Sequence, residues 1–236
     1  MAHIGDLTWA DVRDGPSRTL VVPVGSVEQH GPHLPLVTDV AIAETVARRV
    51  VGDDAALVLA PALPYGAAGE HEGFPGTVSI GHEALRLLLV ELGRSACRWA
   101  SRLLFVNGHG GNVASLVEAV TLLRHEGRDA AWVPCMAPGV SGDTHAGLTE
   151  TSLMLALRPE AVREEAAAPG NSEPLRELLP RMRAGGVAAV SPNGILGDPT
   201  GASADEGHAL LAAITAAVTA AIHTWAPDEK TARLPF

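Results

Sequence analysis

Cysteine is scarce in this chain of 236 residues. Its two cysteines, Cys97 and Cys135, lie far apart and follow no spacing that is typical of metal ligands. The pattern therefore predicts reduced, structural thiols and argues against a disulfide-stapled fold or a thiolate metal site. Reduced thiols are typical of cytoplasmic proteins, so we expect a cytoplasmic location.

Positive charge is also scarce. The chain has 17 Lys and Arg residues against 27 Asp and Glu residues, which gives a formal net charge of -10 at pH 7. Nucleic acids and anionic membranes are bound by clustered basic residues, and this sequence shows no such cluster. We therefore expect neither partner, and we expect a ligand that is small or peptidic.

Neither a leader peptide nor a long hydrophobic run is apparent. The first fifteen residues lack both a basic start and an apolar core. The longest apolar-rich run, residues 209–222, is shorter than a membrane span and is interrupted by threonines. The sequence therefore predicts neither export nor membrane insertion.

The chain does contain enough apolar sequence for a large core, since 47% of its residues are hydrophobic and only 19% are charged. This length suits one α/β unit, and we expect residues 1–236 to form a single domain. Short β-rich runs alternate with runs of helical periodicity, which is typical of an α/β fold with a mainly parallel sheet. Strands are predicted at 19–24, 56–62, 103–106, 130–134 and, weakly, 187–191; the main helices are predicted at 40–51, 83–101, 113–125, 148–157, 173–182 and 203–225.

The segment that follows the first predicted strand, residues 25–39, reads GSVEQHGPHLPLVTD. Alternate residues of an extended segment point the same way, so Glu28 and His30 can reach one divalent cation together. Asp39 could fold back as a bridging ligand. The alternative is a polar loop whose acids and histidines are only solvated.

Two later strand ends also carry groups that can bind metal. His109 follows the strand at 103–106 within NGHGGN, where Gly110 and Gly111 allow close backbone approach. His145 and Glu150 follow the strand at 130–134. Because parallel strands end at one edge of a sheet, we expect these groups to converge with the segment 25–39 and to hold two ions.

Several motifs resemble those of the creatininase-like amidohydrolases: EQHGPHLPL followed by TD, NGHGGN, HAG with ETS, FPGT, and GDP near Asp198. The resemblance implies a three-layer α/β/α sandwich, a dinuclear metal centre, a homo-oligomer that is usually a hexamer, and action on amide-type C–N bonds. It also implies that Glu28 and His109 bind one metal, that His30 binds the other, and that Asp39 lies between them.

Two positions depart from creatininase itself. Gly111 stands where creatininase has a glutamate ligand of the second metal, so we expect Glu150, or else a water, to complete that site. Thr144 stands where creatininase has a catalytic glutamate, immediately before His145. The sequence therefore does not predict creatinine hydrolysis.

Other segments are similar to a peptidase branch of that family: YGAAGEH, LLVELGRSACRWA, FVNGHGGN and GGVAAVSPNGILGDPTGA. This likeness implies a peptide substrate, a modified precursor from which the C-terminal Val-Tyr dipeptide is removed. The alternatives are a small-molecule amide hydrolase, such as a formamide deformylase or cyclic amidohydrolase, and a metal-binding structural module.

The remaining roles follow from the reaction class. A hydroxide that bridges two divalent ions is the expected nucleophile, and the mixed carboxylate and imidazole ligands favour Zn, Fe(II) or Mn. His145 is predicted to pass a proton to the leaving nitrogen. Backbone N–H groups near Gly110 and Gly111 could stabilise the oxyanion, and His33 and His71 are predicted to support the ligands or line the substrate site.

Overall fold

A parallel β-sheet forms the centre of the computed structural model, which describes residues 2–139 and 144–235. Within these residues the sheet has four strands in the order β2-β1-β3-β4. The strands are β1 Thr19–Val24, β2 Leu57–Leu59, β3 Arg102–Asn107 and β4 Ala130–Pro134.

Helices cover both faces of this sheet. In the described part of the chain they are α1 Trp9–Asp14, α2 Thr38–Val51, α3 Gly81–Ala96, α4 Val113–His125, α5 Leu148–Leu157, α6 Leu175–Gly185 and α7 Ala204–Thr224. Helices α2, α5 and α7 contribute to one hydrophobic core, and α3 and α4 contribute to another.

Alternate strand residues divide between these two cores. Val21 and Leu104 pack with α2, α5 and α7, whereas Leu20 and Phe105 pack with α3 and α4. Every residue of β1 is buried, because helices cover both faces of the sheet. The predicted three-layer α/β/α fold with a parallel sheet is therefore confirmed.

Helix α7 is long and apolar enough to cross a membrane by length and composition. In this structure its apolar side chains pack into the protein core. Leu210, Leu211, Ile214 and Val218 are buried in the core that α7 shares with α2 and α5. Ser203 caps the helix by accepting a hydrogen bond from the Glu206 backbone N–H.

One local prediction is wrong. The weak strand at 187–191 is a 3-10 turn, Val187–Ala189, because Gly186 adopts a φ of 69° and turns the chain back. Asn112, at the start of α4, does not cap the helix with its side chain, which accepts from the Ala67 N–H and donates to the Gly25 carbonyl. Asp39 lies in the first turn of α2, which begins two residues before the predicted start at residue 40.

The strands end in register where the site begins. Val24 of β1 pairs with Asn107 of β3, and Asn107 pairs in turn with Pro134 of β4. Gly25 then lets the start of α2 approach β1, because a Cβ at this position would lie 2.6 Å from the backbone nitrogen of Val40. The loops after the strands therefore start from one edge, as parallel pairing requires.

Candidate metal centre

Six side chains gather at this edge of the sheet: Glu28 and His30 from the loop after β1, Asp39 from α2, His109 from the end of β3, His145 before α5, and Glu150 in the first turn of α5. All are buried except Glu150, which is partly exposed. The structure thus brings together the whole set of metal ligands that the sequence predicts, together with the predicted proton carrier.

Glu28, Asp39 and His109 form the first group that could hold a metal ion. His109 Nδ1 lies 3.1 Å from Glu28 Oε1 and 3.2 Å from Asp39 Oδ2. The other ring nitrogen, Nε2, lies 3.2 Å from the carbonyl oxygen of Ala67. A carbonyl only accepts, so this nitrogen carries a hydrogen and Nδ1 is the atom available to a cation.

His30, His145 and Glu150 form a second group. His30 Nε2 lies 3.1 Å from Asp39 Oδ1 and 3.8 Å from Glu150 Oε2. Asp39 therefore contacts His109 with one carboxylate oxygen and His30 with the other. This is the arrangement that a carboxylate bridging two ions requires.

Unpartnered polar atoms mark the first group. Both oxygens of Glu28 and Oδ2 of Asp39 are buried and accept no hydrogen bond from the described residues, although imidazole nitrogens lie 3.1 Å from Glu28 Oε1 and 3.2 Å from Asp39 Oδ2. An ionised carboxylate is costly to bury unless it is paired or coordinates a metal. The donor set therefore fits a divalent cation, since it combines carboxylate oxygens with imidazole nitrogens at short range.

The electrostatics of the metal-free site show how strongly it attracts positive charge. Burial alone would lower the pKa of His30, but the nearby carboxylates of Asp39, Glu150 and Glu28 raise it by more than burial lowers it. The pKa is therefore raised to about 10. The pKa of His109 is raised well above its usual value by Glu28 and Asp39 despite burial. Burial opposes ionisation of Asp39, yet His30 and His109 hold its pKa low. In the metal-free protein, His30 and His109 therefore carry protons on the ring nitrogens that a metal cation would bind.

His145 and His71 behave in the opposite way. Burial lowers the pKa of both rings, and His30 lowers each of them further. His71 Nε2 lies 3.3 Å from Glu28 Oε1, and His145 Nδ1 lies 3.9 Å from the same oxygen. Both rings are therefore neutral near pH 7 and lie beside the first group.

His33 does not line the pocket that His71, His109 and His145 line. Its Nε2 lies 2.9 Å from the Thr151 hydroxyl on α5, and its side chain is buried. Burial, together with the charge of His30, lowers its pKa to about 4. His33 therefore contacts α5, and the structure does not bring it to the substrate side of the centre.

Glu70 belongs to the site, although the sequence did not single it out. Its Oε1 lies 3.5 Å from His109 Nε2. The same oxygen fills the space beside Gly111, where a Cβ would lie 2.5 Å from Glu70 Oε1 and 2.4 Å from His109 Nε2. The signal available in the sequence was the pair of acids on either side of His71 in a glycine-rich loop.

A pocket of about 310 Å³ opens onto the centre. Its polar side includes Asp39, His71, His109, Gly110, Gly111, His145 and Glu150. Its apolar side is formed by Leu175, Leu179 and Met182 of α6 together with Leu196. The pocket has the size and the mixed lining of a small-ligand site.

Comparisons with known proteins agree with this geometry. A sequence model described as "Creatininase: Creatinine amidohydrolase" matches residues 5–222. The "Mycofactocin precursor peptide peptidase" of Mycolicibacterium smegmatis (strain ATCC 700084 / mc(2)155) is 58% identical over 214 residues, which cover 89% of this chain and 86% of that protein. The protein of the same name from Mycobacterium tuberculosis (strain CDC 1551 / Oshkosh) is 54% identical over 236 residues, which cover 95% and 93%.

Solved structures with this fold include metal-bound creatininases. A mutant creatininase described as "Zn-Zn type" is 29% identical, with a TM-score of 0.79, and the match covers 96% of this chain and 98% of that one. A structure named "Creatininase Mn" is 28% identical, with a TM-score of 0.76, and the match covers 96% and 99%. The family model spans most of the chain and the centre provides the donor groups of a metal site, so the chain belongs to the creatininase family of C–N hydrolases.

Proposed function

We propose that this protein is a metal-dependent peptidase that removes the C-terminal Val-Tyr dipeptide from the modified mycofactocin precursor peptide. The observation that carries the proposal is the 58% identity, over most of both chains, with a relative named for peptidase action on that precursor. The Val-Tyr product is the one implied by the resemblance to the peptidase branch of the family. The apolar side of the pocket is consistent with a peptide substrate.

Two divalent ions, Zn, Fe(II) or Mn, are proposed for the centre. Glu28 and His109 would hold one ion, His30 and Glu150 would hold the other, and Asp39 would bind both. Such a pair supplies Lewis acidity to the scissile carbonyl and to the attacking water. Glu150 would provide the carboxylate ligand that a glycine at residue 111 cannot. The Ala146 N–H donates a hydrogen bond of 2.6 Å to Glu150 Oε2 and holds this oxygen in place.

His145 is the proposed proton carrier. It lines the pocket and lies 3.9 Å, through Nδ1, from Glu28 Oε1. Its low pKa keeps the ring neutral near pH 7, so it can take up a proton during the reaction and give it to the leaving amine. His71 would support Glu28, which lies 3.3 Å from its Nε2.

The pocket also provides for the rest of the substrate. Gly110 and Gly111 line it at the start of a 3-10 turn, where their N–H groups could donate to the developing oxyanion. Leu175, Leu179 and Met182 of α6 would contact apolar side chains of the peptide.

Three substrates offered to the purified, metal-loaded protein test the proposal. The modified precursor peptide should yield the dipeptide, detected by mass spectrometry, while formylamino-pyrimidine and creatinine should stay unchanged. Formate or creatine without dipeptide would instead assign a small-molecule amide hydrolase. Metal binding with no hydrolysis of any of the three would indicate a structural metal module.

A further inference from the structure

Gln29 lies between the candidate ligands Glu28 and His30 in sequence, but its side chain contacts His71 and His145. It is only 5% exposed. Its amide nitrogen Nε2 lies 2.9 Å from His71 Nδ1 and 3.0 Å from His145 Nε2. One amide therefore lies within hydrogen-bond distance of both neutral imidazoles of the centre.

Backbone groups fix which end of this amide is the donor. The Gly31 N–H donates to Gln29 Oε1 at 2.9 Å, and Gln29 Nε2 donates to the carbonyl of Gly194 at 3.0 Å. Exchange of the two amide ends would place donor against donor and acceptor against acceptor. The orientation of the amide is thus determined by its surroundings.

The hydrogens of the two rings can then be counted. His145 Nε2 lies 2.9 Å from the backbone carbonyl of Gln29, which only accepts, so this ring nitrogen carries a hydrogen. It cannot also accept from the amide. One amide hydrogen goes to Gly194, so the other goes to His71 Nδ1, which must be unprotonated.

We propose that Gln29 is a positioning residue: its side-chain amide keeps Nδ1 of His71 free of hydrogen, and its backbone carbonyl keeps a hydrogen on Nε2 of His145. The hydrogen of His71 is then on Nε2, the nitrogen that lies 3.3 Å from Glu28 Oε1. The other ring nitrogen of His145, Nδ1, lies 3.9 Å from Glu28 Oε1. The side chain of Gln29 thereby determines which nitrogen of His71 carries a hydrogen, and its backbone carbonyl does the same for His145.

Gly194 contributes to this arrangement by lacking a side chain. It adopts a φ of 80°, and a Cβ there would lie 1.9 Å from Gln29 Oε1. Only glycine at this position leaves room for the amide. Replacement of Gly194 therefore displaces Gln29 without replacing any side chain that could bind a metal.

Neutron diffraction from the deuterated, zinc-loaded full chain tests the proposal, because it locates deuterium on each ring nitrogen. In the wild type we expect deuterium on Nε2 of both rings and none on Nδ1 of His71. In Gln29→Glu the amide donor is lost, so deuterium should appear on His71 Nδ1, while His145 should keep its own on Nε2. Deuterium on His71 Nδ1 in the wild type, no deuterium on His145 Nε2, or an unchanged His71 in Gln29→Glu would overturn the proposal.

Kinetics supply a second, independent measurement. This part rests on the proposed function. Gln29→Glu and Gly194→Ala should each lower kcat for the precursor peptide by about 10- to 100-fold, with KM and zinc content within about twofold of the wild type. Unchanged kcat in both variants would show that Gln29 does not position the reacting groups.

The two experiments separate the two claims. If the wild type fails to cleave the peptide but shows the expected ring hydrogens, then the proposed function is wrong and the role of Gln29 in holding the rings is supported. If Gln29→Glu does not fold, Gly194→Ala carries the neutron test. Gly194→Ala should show deuterium on His71 Nδ1 in part of the molecules. The absence of deuterium from this atom would count against the proposal.

Discussion

Glu70 occupies the space that a side chain on Gly111 would need. A Cβ at residue 111 would lie 2.5 Å from Glu70 Oε1, and the backbone oxygen of Ala67 lies equally close. The glutamate that creatininase has at this position therefore cannot simply be restored in this chain. The Glu70 carboxylate thus fills the space that Gly111 leaves open by having no side chain.

Gly111→Ala should accordingly disturb His109. The new methyl group would lie 2.4 Å from His109 Nε2, which must shift, and we expect zinc affinity and kcat/KM to fall by about 10- to 100-fold. Gly110→Ala is the matched control, because a Cβ there meets nothing within 4 Å. Competition with a chelator measures the affinity. Equal affinities in the two variants would refute the packing argument.

His145→Ala separates a proton carrier from a ligand. If His145 moves a proton and binds no ion, the variant should retain its metal and lose most of kcat, by about 100- to 10,000-fold. Metal analysis after gel filtration gives the ion content, and single-turnover cleavage of the precursor peptide gives the rate. Loss of metal together with activity would make His145 a ligand and remove its proposed role.

Leu179→Asp tests the apolar side of the pocket. A carboxylate on this face of α6 should repel an apolar substrate side chain, so KM for the peptide should rise about tenfold or more while zinc content stays constant. Leu87→Asp is the control, because Leu87 is an exposed leucine of α3 that does not line the pocket. An unchanged KM for Leu179→Asp would place the peptide elsewhere.

Metal uptake should release protons near pH 7. In the metal-free protein the pKa of His30 is raised to about 10, so its proton must leave when a cation binds. Apparent zinc affinity should therefore rise with pH by about tenfold per unit for each proton displaced. The stability of the metal-free protein follows the opposite sign. The contribution of His30 is fully present below pH 6.5 and is lost as the pH rises toward about 10.

Isothermal titration calorimetry at pH 7, in two buffers of different ionisation enthalpy, counts these protons. We expect the observed binding enthalpy to depend on the buffer. Equal enthalpies in both buffers would mean that no proton is released, and that His30 is neutral before metal binds.

The sequence predicts the meeting of Glu28, His109 and His145 because the strands before them are parallel and end at one edge. It does not predict the contacts of Gln29 or Glu70, because these depend on how the loop at residues 65–77 and the segment around Gly194 fold onto that edge. Asn112 shows the same limit. Its position favours a helix cap, but two backbone groups from distant loops use its side chain instead. Local sequence patterns thus predict the helices, the strands and the sheet edge at which the site forms. The packing of the loops determines which side chains contact one another there.

The central claim is that Asp39 binds both ions, since its two oxygens lie 3.1 Å from His30 Nε2 and 3.2 Å from His109 Nδ1. The most direct test is the number of tightly bound ions per chain, measured by inductively coupled plasma mass spectrometry for the wild type, Asp39→Ala and Glu150→Gln. We expect two ions in the wild type, one in Glu150→Gln and none in Asp39→Ala, which should also be inactive. Two ions retained by Asp39→Ala would contradict the bridging assignment.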